Sequence, residues 1–317
     1  MKRLSCVLSM LFAGVAYAQE YPAKTVRILV PFAAGGSTDV LARLVADHFN
    51  KTKTGSFIVD NRPGATGTIA GAIIANSAPD GHTLIMHSVS TYIAGYLYRK
   101  IGYDHAHAFA PIINLSVNPF ILVSASSLPV KNVKELVALA KRRPGELTYG
   151  TVGVGSGSHL VAEMINVATG MKTVPVPYKG SSPTMIALAT GEVVFTVNNI
   201  LDTKPFVNQG RMRALAVTGP KRSPAMSDVP TLLESGVNVE ANLWTGLFAP
   251  AGTPPAILNK LNGEIAKMMD TPQMKEWLLT SLGGEYPPNT PDQFAAFVAT
   301  DSGRWQKIVK ELNLKLD

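Results

Sequence analysis

The sequence predicts an α/β protein of two lobes with a hinge and a ligand cleft between them, and three observations predict it. Short β-rich runs alternate with helical stretches, the arrangement of βαβ units around a largely parallel sheet. Two glycine-rich turns, Pro31-Phe32-Ala33-Ala34-Gly35-Gly36-Ser37-Thr38-Asp39 and Thr151-Val152-Gly153-Val154-Gly155-Ser156-Gly157-Ser158-His159, each carry a strand end into a helix. The chain of 317 residues exceeds one ordinary domain.

Taken in order, residues 26–30 form a strand that Pro31 stops. Val40, Leu41, Leu44, Val45 and Phe49 then recur at helical spacing, with Ser37 or Thr38 as the expected cap. Asp39 and Arg43 are spaced as an exposed ion pair on that helix, or Asp39 lines the cleft at its mouth. A strand at 57–59 runs into the turn 60–67 and a small-residue helix at 68–76, whose Gly71 and alanines suit close packing on a sheet. Pro79-Asp80-Gly81 is a turn before a strand at 83–86 with a polar end, His87-Ser88-Val89-Ser90. Ligand sites of such sheets lie at the carboxyl ends of strands, where both 31–39 and 87–90 fall.

Two strands, 110–115 and 120–123, lead out of the first lobe. A helix from 131 ends at Pro144-Gly145, and 147–151 repeats the strand, glycine and helix plan, closed by Gly170. Strands follow near 174–177, 193–197 and 214–217, the third-last tipped by Tyr178 and the next ending at Asn198-Asn199. The chain returns near 243–250 and finishes as helices around 256–269 and 294–312. The expected organisation is a leader at 1–18, a first lobe from 19–120 and 244–317, and a second lobe at 121–243.

Lys2 and Arg3, an apolar stretch at 4–15 and Ala16-Tyr17-Ala18 read as a secretory signal peptide. The stretch is shorter than the roughly 20 residues of a membrane span. Cys6 is the only cysteine, so removal of this leader leaves neither disulfide nor thiolate metal site and takes the formal charge from +7 to +5. Scattered Lys and Arg without interleaved aromatics give no nucleic-acid surface.

Catalytic signatures are weak. Neither Ser156 nor Ser158 is preceded two residues earlier by the glycine of a hydrolase elbow, and no phosphate loop is present. His105-Ala106-His107 reads as a polar loop, so no metal and no cofactor is expected. Ser156 and His159 fit a helix cap better than a nucleophile and base. Tyr178 is free to pack or to meet a ligand. Neither glycine turn carries Lys or Arg, so an anion there is held by main-chain N–H groups and hydroxyls, at the positive end of a helix.

At these residues, and at 59–67, 79–84, 177–180 and 228–231, the chain resembles the periplasmic solute-binding proteins of tripartite tricarboxylate transporters, also called Bug receptors. The resemblance implies two lobes of the type II periplasmic-binding-protein kind, closure on a small organic acid, and delivery to separate membrane subunits by a non-catalytic monomer in the periplasm. It implies ligand contacts at Phe32, Ala33, Gly36, Ser37, Thr38, Asp39 and Ser88, and at Thr151, Ser156, Gly157 and His159, with Tyr178 and the region from Asn198 to Asp202 at the distal end. Phe195 and Asn198 stand where relatives carry acidic residues, which implies a less acidic distal pocket, suited to an aromatic body or a second carboxylate. A secreted serine hydrolase on Ser156 or Ser158 with His159, and a ligand-sensing subunit of a signalling system, are the alternatives.

Overall fold

The computed structural model describes residues 21–98 and 101–312, so the leader read at 1–18 lies outside the described residues. β1 (Val26–Val30) runs parallel to β2 (Phe57–Asn61) and β3 (Thr83–Ser88). Val26, Ile28 and Val30 pack with Val45 and Phe49 of α1 (Ser37–Lys51), while Leu29 packs with Ile74 of α2 (Thr68–Ala75) and Ile93 of α3 (Val89–Leu97). A parallel strand covered on both faces is apolar along its length, which is why this run lacks alternation. At Gly71 a Cβ would overlap Tyr103, so the glycine of α2 admits that ring rather than the sheet.

β4 (Phe109–Ala125) is a single strand of 17 residues where two were expected. Its register shifts near Ile113 and Ser116, and these irregularities break the apolar alternation by which one long strand would be read. The second lobe follows: α4 (Val133–Arg142), β5 (Thr148–Thr151), α5 (Gly157–Thr169), β6 (Val174–Pro177), α6 (Ser181–Thr190), β7 (Phe195–Asn199), α7 (Ile200–Asn208) and β8 (Met212–Val217). β9 (Asn242–Pro250) returns to the first lobe, which ends in α8 (Pro255–Met269), α9 (Pro272–Trp277) and α10 (Pro291–Glu311).

Among the described residues the strands form one curled mixed sheet in the order β2-β1-β3-β9-β4-β7-β5-β6, with β8 also paired to β4. Residues 109–119 of β4 pair antiparallel with β9, and 120–125 pair with β7 and β8. The same strand thus belongs to both lobes. β5 lies parallel to β6 and β7, so its carboxyl end, like those of β1 and β3, faces the groove where the lobes meet.

Helix caps are set locally. Asn132 Oδ1 accepts the Glu135 N–H at 2.9 Å at the start of α4, while Glu135 Oε2 accepts the Lys131 N–H at 2.7 Å. Asn132→Ala is expected to cost about 1 kcal/mol, read as a lower urea midpoint at unchanged slope. An unchanged midpoint would show that the cap contributes nothing.

Candidate functional site

Five helix N-termini meet at one cavity between the lobes. β1 ends at Val30, and Gly35, with φ +86°, folds the turn back so that its N–H donates to Asp39 Oδ2 at 2.9 Å. The cap of α1 is Gly36, with no side-chain cap bond, in place of the expected Ser37 or Thr38. The reason is tertiary: Ser37 Oγ instead accepts from Asn199 Nδ2 of the other lobe at 2.6 Å. Ser37 N–H faces the Asp202 carboxylate. The N–H groups of Thr38 and Asp39 have no partner among the described residues, as expected for a first helical turn without a side-chain cap.

Asp39 is both a lining residue and a structural one. Its carboxylate takes Arg43 Nε at 2.9 Å and Asn61 Nδ2 at 3.0 Å as well as the Gly35 N–H. Burial opposes ionisation, but these donors prevail and hold the carboxyl below the usual range. Asp39 therefore fixes the turn.

The other walls come from α3, α5, α6 and α7. Ser90, in the first turn of α3 behind its cap Ser88, accepts the Gly157 N–H across the lobes at 3.0 Å. At α5 the cap Ser156 accepts the His159 N–H at 3.3 Å and is paired with Ser158 Oγ at 2.9 Å, and Ser158 Oγ accepts from Val152 N–H at 3.0 Å. At α6 Ser181 Oγ donates to Asn198 Oδ1 at 3.0 Å. At α7 the cap Asn199 accepts the Asp202 N–H at 3.1 Å. Asn198 is 3% exposed, and its Nδ2 has no partner among the described residues. A buried donor left unpaired costs about 1–3 kcal/mol, so this one awaits an acceptor.

The cavity is narrow, about 40 Å³ in volume. Phe32, Ala33, Gly36, Ser37, Thr38, Asp39, Ser88 and Asn198 all line it. Ser90, Phe120, Val152, Ser158, Ser181, Asn199 and Leu243 line it too. Ser181-Ser182-Pro183 and Asn199 carry the cap signals by which α6 and α7 could have been found. Lys, Arg and His are absent from this lining.

Five expected contacts fall behind the wall or outside it. Thr151 is fully buried, with Oγ1 accepting the Gly153 N–H at 3.1 Å. Ser156 is occupied as the cap and the Gly157 N–H by Ser90. His159 turns Nδ1 back onto the Gly155 N–H at 3.0 Å, and burial, against Glu163, lowers its pKa. That geometry withholds from Ser156 and Ser158 the base that a hydrolase needs. Tyr178 lines a separate recess with Pro31, Thr66 and Lys179, and donates to Glu192 at 2.8 Å. Phe195 is buried in the core, stacked on Tyr149 at 5.3 Å, so it is no wall of a distal pocket. His105 and His107 do not converge: the first is buried near Tyr92 and Tyr96, the second exposed and paired with Asp104.

A curled α/β sheet shared by two lobes, with a small polar cavity between them, defines a solute-binding receptor. The sequence profile of the tripartite tricarboxylate transporter family receptors matches residues 41–314, and the chain belongs to that family. It is 34% identical over 324 residues to protein BugT of Bordetella pertussis, covering 100% of this chain and 99% of BugT. The structure of R. palustris Rpa4515 with adipate superposes with a TM-score of 0.89 at 36% identity, covering 93% of this chain and 99% of that one. MatC (Rpa3494) from Rhodopseudomonas palustris with bound malate gives 0.86 at 33% identity, covering 91% and 100%. The family is one of receptors, not enzymes. Among the described residues no helix is long and apolar enough to cross a membrane.

Proposed function

We propose that this protein is a periplasmic receptor that closes its lobes, 19–120 with 244–317 and 121–243, on a small organic carboxylate and hands it to separate membrane subunits of a transporter. It acts as a monomer exported by its leader. The observation that carries the reading is the convergence of helix N-termini from both lobes on a cavity without a cationic lining residue. Each partly buried N-terminus favours an anion by about 1–2 kcal/mol, so the set replaces an arginine without the cost of desolvating one. Ser37, Thr38, Ser88 and Asn198, with Ser90, Ser158 and Ser181, supply the polar contacts. Phe32, Phe120, Val152 and Leu243 give the ligand's apolar body its surface, which suits aliphatic and aromatic acids alike. Adipate and malate, held by the solved relatives, belong to the same chemical class.

A thermal-shift screen of organic acids, followed by calorimetry, tests the reading. A ligand at a hundredfold over its Kd stabilises the protein by about 2.7 kcal/mol. Asn198→Ala is expected to weaken the best acid about tenfold, the worth of one net hydrogen bond. Saturable binding of amines in place of acids, or full affinity in Asn198→Ala, would contradict the assignment.

A further inference from the structure

Asp202, in the first turn of α7, stands directly behind the cavity wall. Its carboxylate accepts Asn199 Nδ2 at 2.7 Å. The Ser181 hydroxyl, whose one proton goes to Asn198 Oδ1 at 3.0 Å, and the Ser37 N–H of the other lobe also face it. All three residues line the cavity. Ser181 also bonds Asn198, whose Nδ2 is the unpaired donor, so an acceptor placed on Asn198 joins the network that holds Asp202.

Charges around Asp202 are few. α6, β4, β7 and the segment 278–282, which pack on α7, carry no ionisable side chain. β8 carries only Arg213, bonded to the Val130 carbonyl, and on α7 itself Lys204 bonds the Thr280 carbonyl at 2.8 Å. On α1, Asp39 is already paired with Arg43. Among the described residues Asp202 thus has dipoles as neighbours but no cation. Burial pushes its pKa up to about 6, against the dipoles of Ser181, Asn199 and Ser37.

Resting on the carboxylate-receptor reading, we propose that Asp202 sets the charge the cavity accepts at its second-lobe end. A monocarboxylate whose tail points to Asn198 leaves Asp202 ionised. A dicarboxylate places a second anion on Asn198 beside it, and the pair is accommodated by transfer of one proton from solvent to the Asp202 carboxylate. Two like charges in one poorly hydrated pocket do not both stay ionised. Asp202 acts through Ser37, Ser181 and Asn199 and is a specificity-determining positioning residue.

Hexanoate and adipate share a six-carbon chain and differ in one carboxylate, so calorimetry on the intact protein between pH 6.5 and 8 separates the charge from the chain. Both acids are ionised throughout this range. Measured in two buffers of different ionisation enthalpy, adipate is expected to take up a fraction of a proton and hexanoate none. If binding raises the Asp202 pKa by one unit from about 6, adipate affinity becomes about threefold higher at pH 6.5 than at pH 8, and hexanoate affinity stays flat. Asp202→Asn, which keeps an acceptor for Ser37, is expected to abolish the proton uptake and the pH slope. Adipate that binds the wild-type protein without proton uptake overturns the inference, and needs no variant to do so. Failure of every carboxylate to bind at any pH overturns the receptor reading itself, and the proposal with it.

Discussion

Gly180→Ala is expected to lower the affinity for an organic acid about a hundredfold. Gly180 caps α6 with φ +132°, and its neighbour Lys179 accepts the Ala33 N–H from the first lobe at 3.0 Å. A Cβ there would lie 3.1 Å from Ala33 N and 3.2 Å from Phe32 Cβ, tight contacts with backbone-anchored atoms that cannot rotate away. Two costs arise, and they act on different states. The positive φ strains any L side chain by about 1–3 kcal/mol whether the lobes are together or apart. The steric contact with Phe32 and Ala33 exists only when they are together, so it is subtracted from ligand-driven closure. A differential cost of about 2.7 kcal/mol corresponds to the hundredfold loss. Gly191→Ala is the matched control: φ is +82°, and nothing lies within 4 Å of its Cβ position. That variant should lose stability in urea yet bind with wild-type affinity. Equal affinities for both variants would show that Gly180 takes no part in closure.

The two halves of the site differed in how plainly the chain announces them, and the difference has a physical cause. The wall at residues 31–39 is local: a strand, glycines and a helix start within ten residues, so its dihedral demands and its lack of cations are visible in order. The wall from Ser181 and Asn199 is made by partners distant in sequence. Asn199 reaches Ser37 across 162 residues, and no local pattern encodes that pairing. The same long-range bond explains why Ser37 is not the cap of α1, although its residue type and position suit one. At α5 the cap was legible in Ser156 and His159, but a one-dimensional pattern does not say which way an imidazole turns. His159 turns inward to Gly155, away from the cavity. Phe195 misled for a related reason: alternation along β7 sends it into the core with Val197, while Asn198 on the next position faces the cavity. Asp202 falls in the region that the resemblance gives to the distal end of the ligand, but only the packed neighbours reveal that it stands there without a cation.

Acid is expected to act on the fold most strongly through His87 and His105, with buried His159 adding in the same direction. His87, at 1% exposure, has Nδ1 on Thr91 Oγ1 at 2.7 Å and no partner for Nε2, with the Phe109 ring 4.6 Å away. Burial, helped by His105, pushes its pKa down to about 3. His105 is driven down to about 4 by burial, against the Tyr92 backbone and Asp104. Each folded pKa lies below the unfolded value near 6.5, so the stability each contributes is present above pH 6.5 and is lost as pH falls toward the folded value. Between those limits each histidine costs about 1.4 kcal/mol per pH unit, against a total stability on the order of 5–15 kcal/mol. Asp202 and Asp301, whose pKa values are raised mainly by burial, work in the opposite sense and blunt the observed slope. A difference measurement removes that offset. The His105 ring lies flat enough against Gly95 that a Cβ there would overlap it, so phenylalanine, planar and uncharged, suits the slot. His105→Phe is therefore expected to gain on the wild-type protein by about 1.4 kcal/mol per pH unit as pH falls from 6 to 4.5, in urea unfolding at each pH. Parallel stability curves would mean that His105 takes its proton in the folded state and that its burial is relieved by local opening.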